Sequence, residues 1–252
     1  MAEDHRENRR LWNAWSDAFQ GLWNADTADG ELPPTPTPFS ADAPGRDPPA
    51  DMASPEGLAV VELGCGGGQG TVGTALAGAD RVVGIDLSEE QLRHARRLRD
   101  FAGVEAAFLQ TDVTKLPLPD DAFDAAFSEW AFQMVADLDA ALAEARRVLR
   151  PGGSFLLSVP HPFGELVDDE TAELARDYHA DPRRRVTIDE AYDAEMVVFD
   201  RTVSELHHAL RDAGFAVERI VEPDPRESPA GGEADADEPV APQDLRIWAT
   251  VE

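Results

Sequence analysis

The 252-residue chain reads as an α/β protein built on a doubly wound, mostly parallel seven-stranded sheet. Three observations predict this. Short apolar runs alternate with helix-periodic stretches from residue 58 onward, the pattern of repeated βαβ units. The first run, Leu58–Leu63, enters a glycine turn that leads straight into a helical stretch. The second run ends on an acid, Asp86. In such sheets the turns after the strand C-termini form the ligand crevice.

The elements follow in order. Residues 8–24 set Leu11, Trp12, Trp15, Phe19, Leu22 and Trp23 at helical spacing, so an amphipathic cap helix is expected within 1–25. Residues 26–56 are rich in proline, including Pro33, Pro34, Pro36 and Pro38. That composition predicts a linker rather than a packed element. The main domain is then 57–252. Strand Leu58–Leu63 is followed by helix Gln69–Ala77, strand Arg81–Ile85 and helix Glu89–Phe101, which Ser88 is placed to cap. Strands Ala106–Gln110 and Ala122–Phe127 come next, then helix Leu138–Leu149, stopped by Pro151-Gly152-Gly153. Strand Ser154–Val159 precedes an insertion over 161–200. Helix Val203–Ala213 ends at Gly214, and strands Phe215–Val221 and Leu245–Val251 close the sheet. Between those two strands, 223–243 reads as an acidic mobile loop.

Charge narrows the function classes. Fifty acids against 22 bases give a net charge of −28, and Lys115 is the only lysine. A surface this acidic repels phosphate backbones, so no nucleic-acid partner is expected. Its self-repulsion is screened at about 1 M salt, where the Debye length is ~3 Å. The composition is similar to that of proteins from salt-accumulating halophiles. Arg183-Arg184-Arg185 is the one basic run and reads as a solvated loop. A single cysteine, Cys65, allows no internal disulfide, and no metal-ligand spacing is present. No run has transmembrane length and the N-terminus lacks a signal-peptide pattern, so a cytoplasmic protein without a membrane partner is expected. Oligomeric state is not set by any of these features.

The glycine turn points to a nucleoside-type ligand. Glycines permit tight turns and close ligand approach, and the helix that follows offers open N–H groups. The dinucleotide fingerprint needs G-x-G-x-x-G. Gly64 and Gly66 fit it, but its third position is Gln69, and the actual spacing is G-x-G-x-G over Gly64, Gly66 and Gly68. Glu62 stands two residues before the first glycine. Asp86, closing the second strand, is placed to accept from two ribose hydroxyls.

With these residues in place, the chain resembles the class I S-adenosylmethionine-dependent methyltransferases. Their first motif is a hydrophobic run with an acid leading into G-x-G-x-G. Gly84-Ile85-Asp86-Leu87-Ser88 is similar to their second motif, and Gln110-Thr111-Asp112-Val113 with Leu116-Pro117-Leu118-Pro119-Asp120 to their third. Arg147-Val148-Leu149-Arg150-Pro151-Gly152-Gly153 resembles their turn into the fifth strand. The likeness is dense over 57–160 and looser over 200–221. It implies S-adenosylmethionine as cofactor, held by Glu62, Gly64, Cys65, Gly66, Gly68, Asp86 and Leu87. It further implies Asp112 and Val113 at the adenine and Ser128 at the methionine moiety. It also implies methyl transfer to a small-molecule acceptor. Candidate acceptor contacts are Trp12, Trp15, Trp130, Gln133, Phe163 and Tyr178. His161 is the foremost candidate base, with Glu129 and His207 behind it. Rival readings are a non-catalytic S-adenosylmethionine-binding protein and, on the same fold, a nicotinamide dehydrogenase, which Gln69 argues against.

Overall fold

The computed structural model describes residues 3–23, 31–39, 48–49, 52–168, 173–188, 193–224 and 241–252. Helix α1 spans Glu3–Trp23 and is followed by β1 (Ala59–Leu63), α2 (Gln69–Leu76), β2 (Arg81–Asp86), α3 (Glu89–Ala102) and β3 (Ala107–Gln110). Then come β4 (Phe123–Glu129), α4 (Leu138–Val148), β5 (Leu149–Pro160), the hairpin β6 (Arg183–Val186) and β7 (Met196–Phe199), α5 (Val203–Asp212), β8 (Phe215–Val221) and β9 (Asp244–Val251).

Seven strands form one sheet in the order β3-β2-β1-β4-β5-β9-β8. The first five are parallel, and β9 pairs antiparallel with both β5 and β8. Both faces are covered because successive strand side chains alternate. Val61, Ala126, Phe155 and Leu157 face α4 and α5, whose Leu142, Ala145, Leu206 and Leu210 are buried with them. Val60, Ala125, Phe127, Leu156 and Trp248 face the other way. The strand order reverses between β1 and β4, so their C-terminal ends open the crevice.

Several expectations change here. Phe39 and Met52, from the proline-rich stretch, are buried against Phe127 and Trp248, so parts of 26–56 dock on the sheet instead of merely linking. The sheet face needed apolar cover, and two hydrophobic residues among the prolines supply it. The remainder of that stretch (26–30, 40–47, 50–51), and 225–240 of the acidic loop, lie outside the described residues. The arginine run is strand β6 rather than a solvated loop. Arg183 pairs with Asp4 (2.7 Å), Arg184 with Asp200 (2.8 Å) and Arg185 with Glu7, drawn there by the carboxylates of α1 and the hairpin. Strand β5 starts at Leu149, since Leu149 already pairs with Phe123. None of the described helices is long and apolar enough to cross a membrane.

Candidate functional site

At the switch point a cavity of about 730 Å³ opens beside the glycine turn. Backbone geometry explains the turn. Gly64, Gly66 and Gly68 all hold positive φ, at 85°, 49° and 82°, a region that costs other residues steric strain. A Cβ at Gly64 would overlap Ala131, and one at Gly68 would come within 2.7 Å of Ala95. Gly68 caps α2 without a side chain, so the cap position itself offers no side-chain acceptor to the first turn's N–H groups.

The acids are stapled into this turn. Asp86 Oδ2 accepts from the Gly66 N–H and Oδ1 from the Ser88 N–H, both at 2.8 Å. Burial raises the Asp86 carboxyl and these backbone bonds oppose it. Glu62, buried on β1, accepts from the Thr71 hydroxyl, and burial pushes its carboxyl well above the usual range. Burial also raises the Cys65 thiol, with Asp86 and Glu62 adding to the effect, so it stays protonated and is no nucleophile.

Asp112 sits on the opposite wall. Burial pushes its carboxyl up, but bonds from His5 (2.7 Å) and from the Thr114 N–H and hydroxyl outweigh that and hold it at about 2. The His5 ring donates through Nδ1 to Asp112 and accepts the Ala136 N–H at Nε2 (3.1 Å). Helix α1 is therefore keyed to the cavity wall. Asn8 strengthens the key by donating to the Val197 carbonyl (2.8 Å) and accepting the Val197 N–H (2.7 Å), as a strand neighbour of β7 would.

The cavity brings together Glu62, Gly64, Cys65, Gly66, Asp86, Leu87, Asp112 and Val113 from the expected cofactor set, with Trp12 and Trp130 from the acceptor set. The rest fall elsewhere. Ser128 is fully buried in β4 beside Leu157 and does not line the cavity; the next residue, Glu129, does, because strand side chains alternate. Gly68 shapes the turn from behind. Trp15 packs with tilted rings against Trp12 (5.1 Å) and Phe19 (5.0 Å) outside the cavity, whereas Phe19 lines it. Gln133 donates to the Trp130 carbonyl (2.7 Å) and lines a separate, smaller cavity. Phe163 is exposed at a turn, and the Tyr178 hydroxyl lies against Val203, so neither reaches the site.

His161 is corrected as a candidate base. It is buried off the cavity, where Nδ1 accepts the Phe163 N–H (3.1 Å) and Nε2 faces Glu222 (2.8 Å). Both ring nitrogens are engaged in holding the turn after β5.

Sequence reasoning missed His5, Gln91, Met134 and Arg246 on the cavity wall. Arg246 pairs with Asp244 at 2.7 Å. Helical periodicity could have suggested His5, three residues before Asn8 and six before Leu11 on one face; nothing local marks the others.

Trp130 stands at the rim, half exposed, with φ 55°, unusual for a bulky residue. Its N–H donates to the Ser158 carbonyl (2.9 Å) and its indole N–H to Asp244 (3.2 Å), which together hold that conformation.

A doubly wound sheet, a glycine turn under its switch point and an acid at the end of β2 define a nucleoside-binding α/β protein. The lining suits a cation-bearing nucleoside, since Asp86, Asp112 and Glu129 line a cavity whose wall surface is otherwise mostly apolar. Comparison with known proteins agrees. Residues 61–157 match the Methyltransferase domain family. The crystal structure of an S-adenosylmethionine-dependent methyltransferase from Mesorhizobium loti is 30% identical with a TM-score of 0.63, covering 77% of this chain and 91% of that one. The fatty-acid O-methyltransferase of Mycolicibacterium smegmatis is 37% identical over 126 residues, 49% of this chain and 44% of its own. A Haloferax volcanii putative methyltransferase, solved in complex with the Trm112 methyltransferase activator, shares the fold over 97% of both chains (22% identity, TM-score 0.62). The chain belongs to the S-adenosylmethionine-dependent methyltransferases, and S-adenosylmethionine is its cofactor. It spans under half the length of the curated relatives it matches.

Proposed function

We propose that the protein transfers the methyl group of S-adenosylmethionine to a small, largely apolar acceptor. One observation carries this reading. A single cavity joins the glycine turn and Asp86 to an aromatic and aliphatic wall made by Trp12, Phe19, Trp130 and Met134. The cofactor supplies a methyl on a sulfonium, whose sulfur keeps the bonding electron pair as the methyl leaves. The chain's own part is positioning and exclusion of water. Asp86 accepts from the ribose hydroxyls, and Asp112 and Val113 frame the adenine. Asp86, Asp112 and Glu129 set a negative field that favours a cationic ligand. Helix α1 closes over the site and brings Trp12 and Phe19 to the acceptor side. Where the acceptor must shed a proton, Glu129 is placed to take it, since His161 lies off the cavity.

The fatty-acid O-methyltransferase likeness supports a small-molecule acceptor, and the acidic wall disfavours nucleic acid. The acidic composition fits a salt-rich cytoplasm. Incubation with methyl-labelled cofactor and a metabolite pool tests the reading. Label should enter small molecules and be lost in Asp86→Ala. Label appearing only in protein or RNA would overturn the acceptor class.

A second reading concerns a partner. Among the described residues β3 pairs only with β2, leaving one edge open, and Phe101, near the end of the helix that leads into β3, is 55% exposed. An open edge accepts another chain's strand. Together with the Haloferax fold neighbour's complex, this supports an activator protein docking at β3. Co-purification with such an activator should be abolished by Leu109→Pro; unchanged capture would place the contact elsewhere.

A further inference from the structure

Among the described residues, four buried side-chain polar atoms lack a hydrogen-bond partner: Ser16 Oγ, Gln91 Nε2, Ser128 Oγ and Gln133 Oε1. Of their residues, only Gln91 lines the large cavity. Gln91 is 1% exposed. An unpaired buried amide donor costs stability, so such an atom calls for a partner.

The amide's direction is set by its neighbours. Gln69 Nε2 donates to Gln20 Oε1 (2.6 Å), and Gln20 Nε2 donates to Gln91 Oε1 (2.8 Å). Three side-chain amides thus run head to tail from α2 through α1 to α3. The last oxygen is taken and the last NH₂ is left without a partner, on a residue that lines the cavity. Gln20 is seated on Gly67, where any Cβ would overlap its amide. The Gln91 backbone is held as well, its N–H donating to Ser88 Oγ (3.1 Å), which in turn donates to Asn13 of α1 (2.8 Å).

Resting on the cofactor reading above, we propose that Gln91 donates a hydrogen bond to a ribose hydroxyl oxygen of the cofactor. Gln20 on α1 is the positioning residue that aims it. The place fits. The Gln91 amide oxygen is 3.9 Å from where a Gly66 Cβ would stand, and the Gly66 N–H is bound by Asp86. The chemistry also fits. A hydroxyl that donates to the Asp86 carboxylate keeps lone pairs for the Gln91 NH₂, and each carboxylate oxygen can accept more than one donor. Cofactor binding and seating of α1 are then linked through the glutamine chain, although Gln20 itself does not line the cavity.

Calorimetric titration of the full chain in about 1 M KCl tests this with S-adenosylhomocysteine and its 2′-deoxy and 3′-deoxy counterparts. The variants are Gln91→Leu, Gln91→Met and Gln20→Leu, each checked for folding by thermal melt. Gln91→Leu should weaken S-adenosylhomocysteine binding about tenfold, as loss of one hydrogen bond implies. That loss should vanish with one of the two deoxy ligands, the one lacking the contacted oxygen. Gln20→Leu should show the same ligand pattern at smaller size. Equal losses across all three ligands would mark a structural role and overturn the proposal, as would no loss at all. A folded wild type that binds none of the three would instead overturn the cofactor reading beneath it.

Discussion

Asp86→Asn separates the two roles of one carboxylate. In the fold each Asp86 oxygen accepts a backbone N–H at 2.8 Å, from Gly66 and from Ser88. Asparagine keeps the shape but offers one oxygen and one NH₂, so one of those N–H groups is left facing a donor. A buried unpaired N–H costs about 1–3 kcal/mol. Burial already disfavours the Asp86 charge, and removing that charge offsets part of the loss, leaving about 1–2 kcal/mol. For a chain of this length that lowers Tm by about 2–8 °C. Ligand binding should suffer separately. A charge-assisted bond to a ribose hydroxyl contributes about 1.5–3 kcal/mol, so S-adenosylhomocysteine should bind roughly 10- to 100-fold more weakly. Circular-dichroism melts and calorimetric titration read the two effects independently. A Tm within about 1 °C of wild type together with an unchanged Kd would refute both the staple and the ribose assignment.

Three further outcomes are expected. Glu62→Gln removes a buried titratable carboxyl. Because the folded carboxyl lies well above its ordinary 4.5, the wild type loses stability as pH rises from that value. The variant should therefore melt higher than wild type at neutral pH, with the gap closing as pH falls toward 4.5, as melts across pH would show. His5→Ala removes a bond that helps hold Asp112 at about 2 rather than 3.8. That depression corresponds to about 2 kcal/mol before solvent screening and nearer 1 after it. The cost of His5→Ala should be full above 3.8 and fade as acid titrates Asp112 toward about 2, as read by urea unfolding at several pH values. Raising KCl from about 0.1 to 1 M shortens the Debye length from ~10 to ~3 Å. With a net charge of −28, the wild-type Tm should climb across that range; a flat profile would mean the acidic surface does not limit stability.

Much of the cofactor side was legible in residue order because it is local. A strand, a G-x-G-x-G turn and a strand-end acid lie within 58–86, and their geometry follows from φ > 0 at Gly64, Gly66 and Gly68. Alternating apolar runs determined the sheet for a similarly local reason: side-chain period states which residues must be buried. Strand register and the alternation after β4 were not local. One residue of offset puts Glu129 in the cavity and Ser128 in the core.

Only the tertiary structure decided which distant groups met. His5 and Asp112 are 107 positions apart, and Gln20 and Gln91 71 apart; no spacing in the chain announces either pair. Burial of Phe39 under Trp248, the ion pairs of Arg183–Arg185 and the withdrawal of His161 to Glu222 likewise depend on packing. The physical reason is the same in each case. Backbone propensity and hydrophobic period act over a few residues, while the partner that satisfies a buried polar group is chosen by how elements far apart in sequence come to lie together.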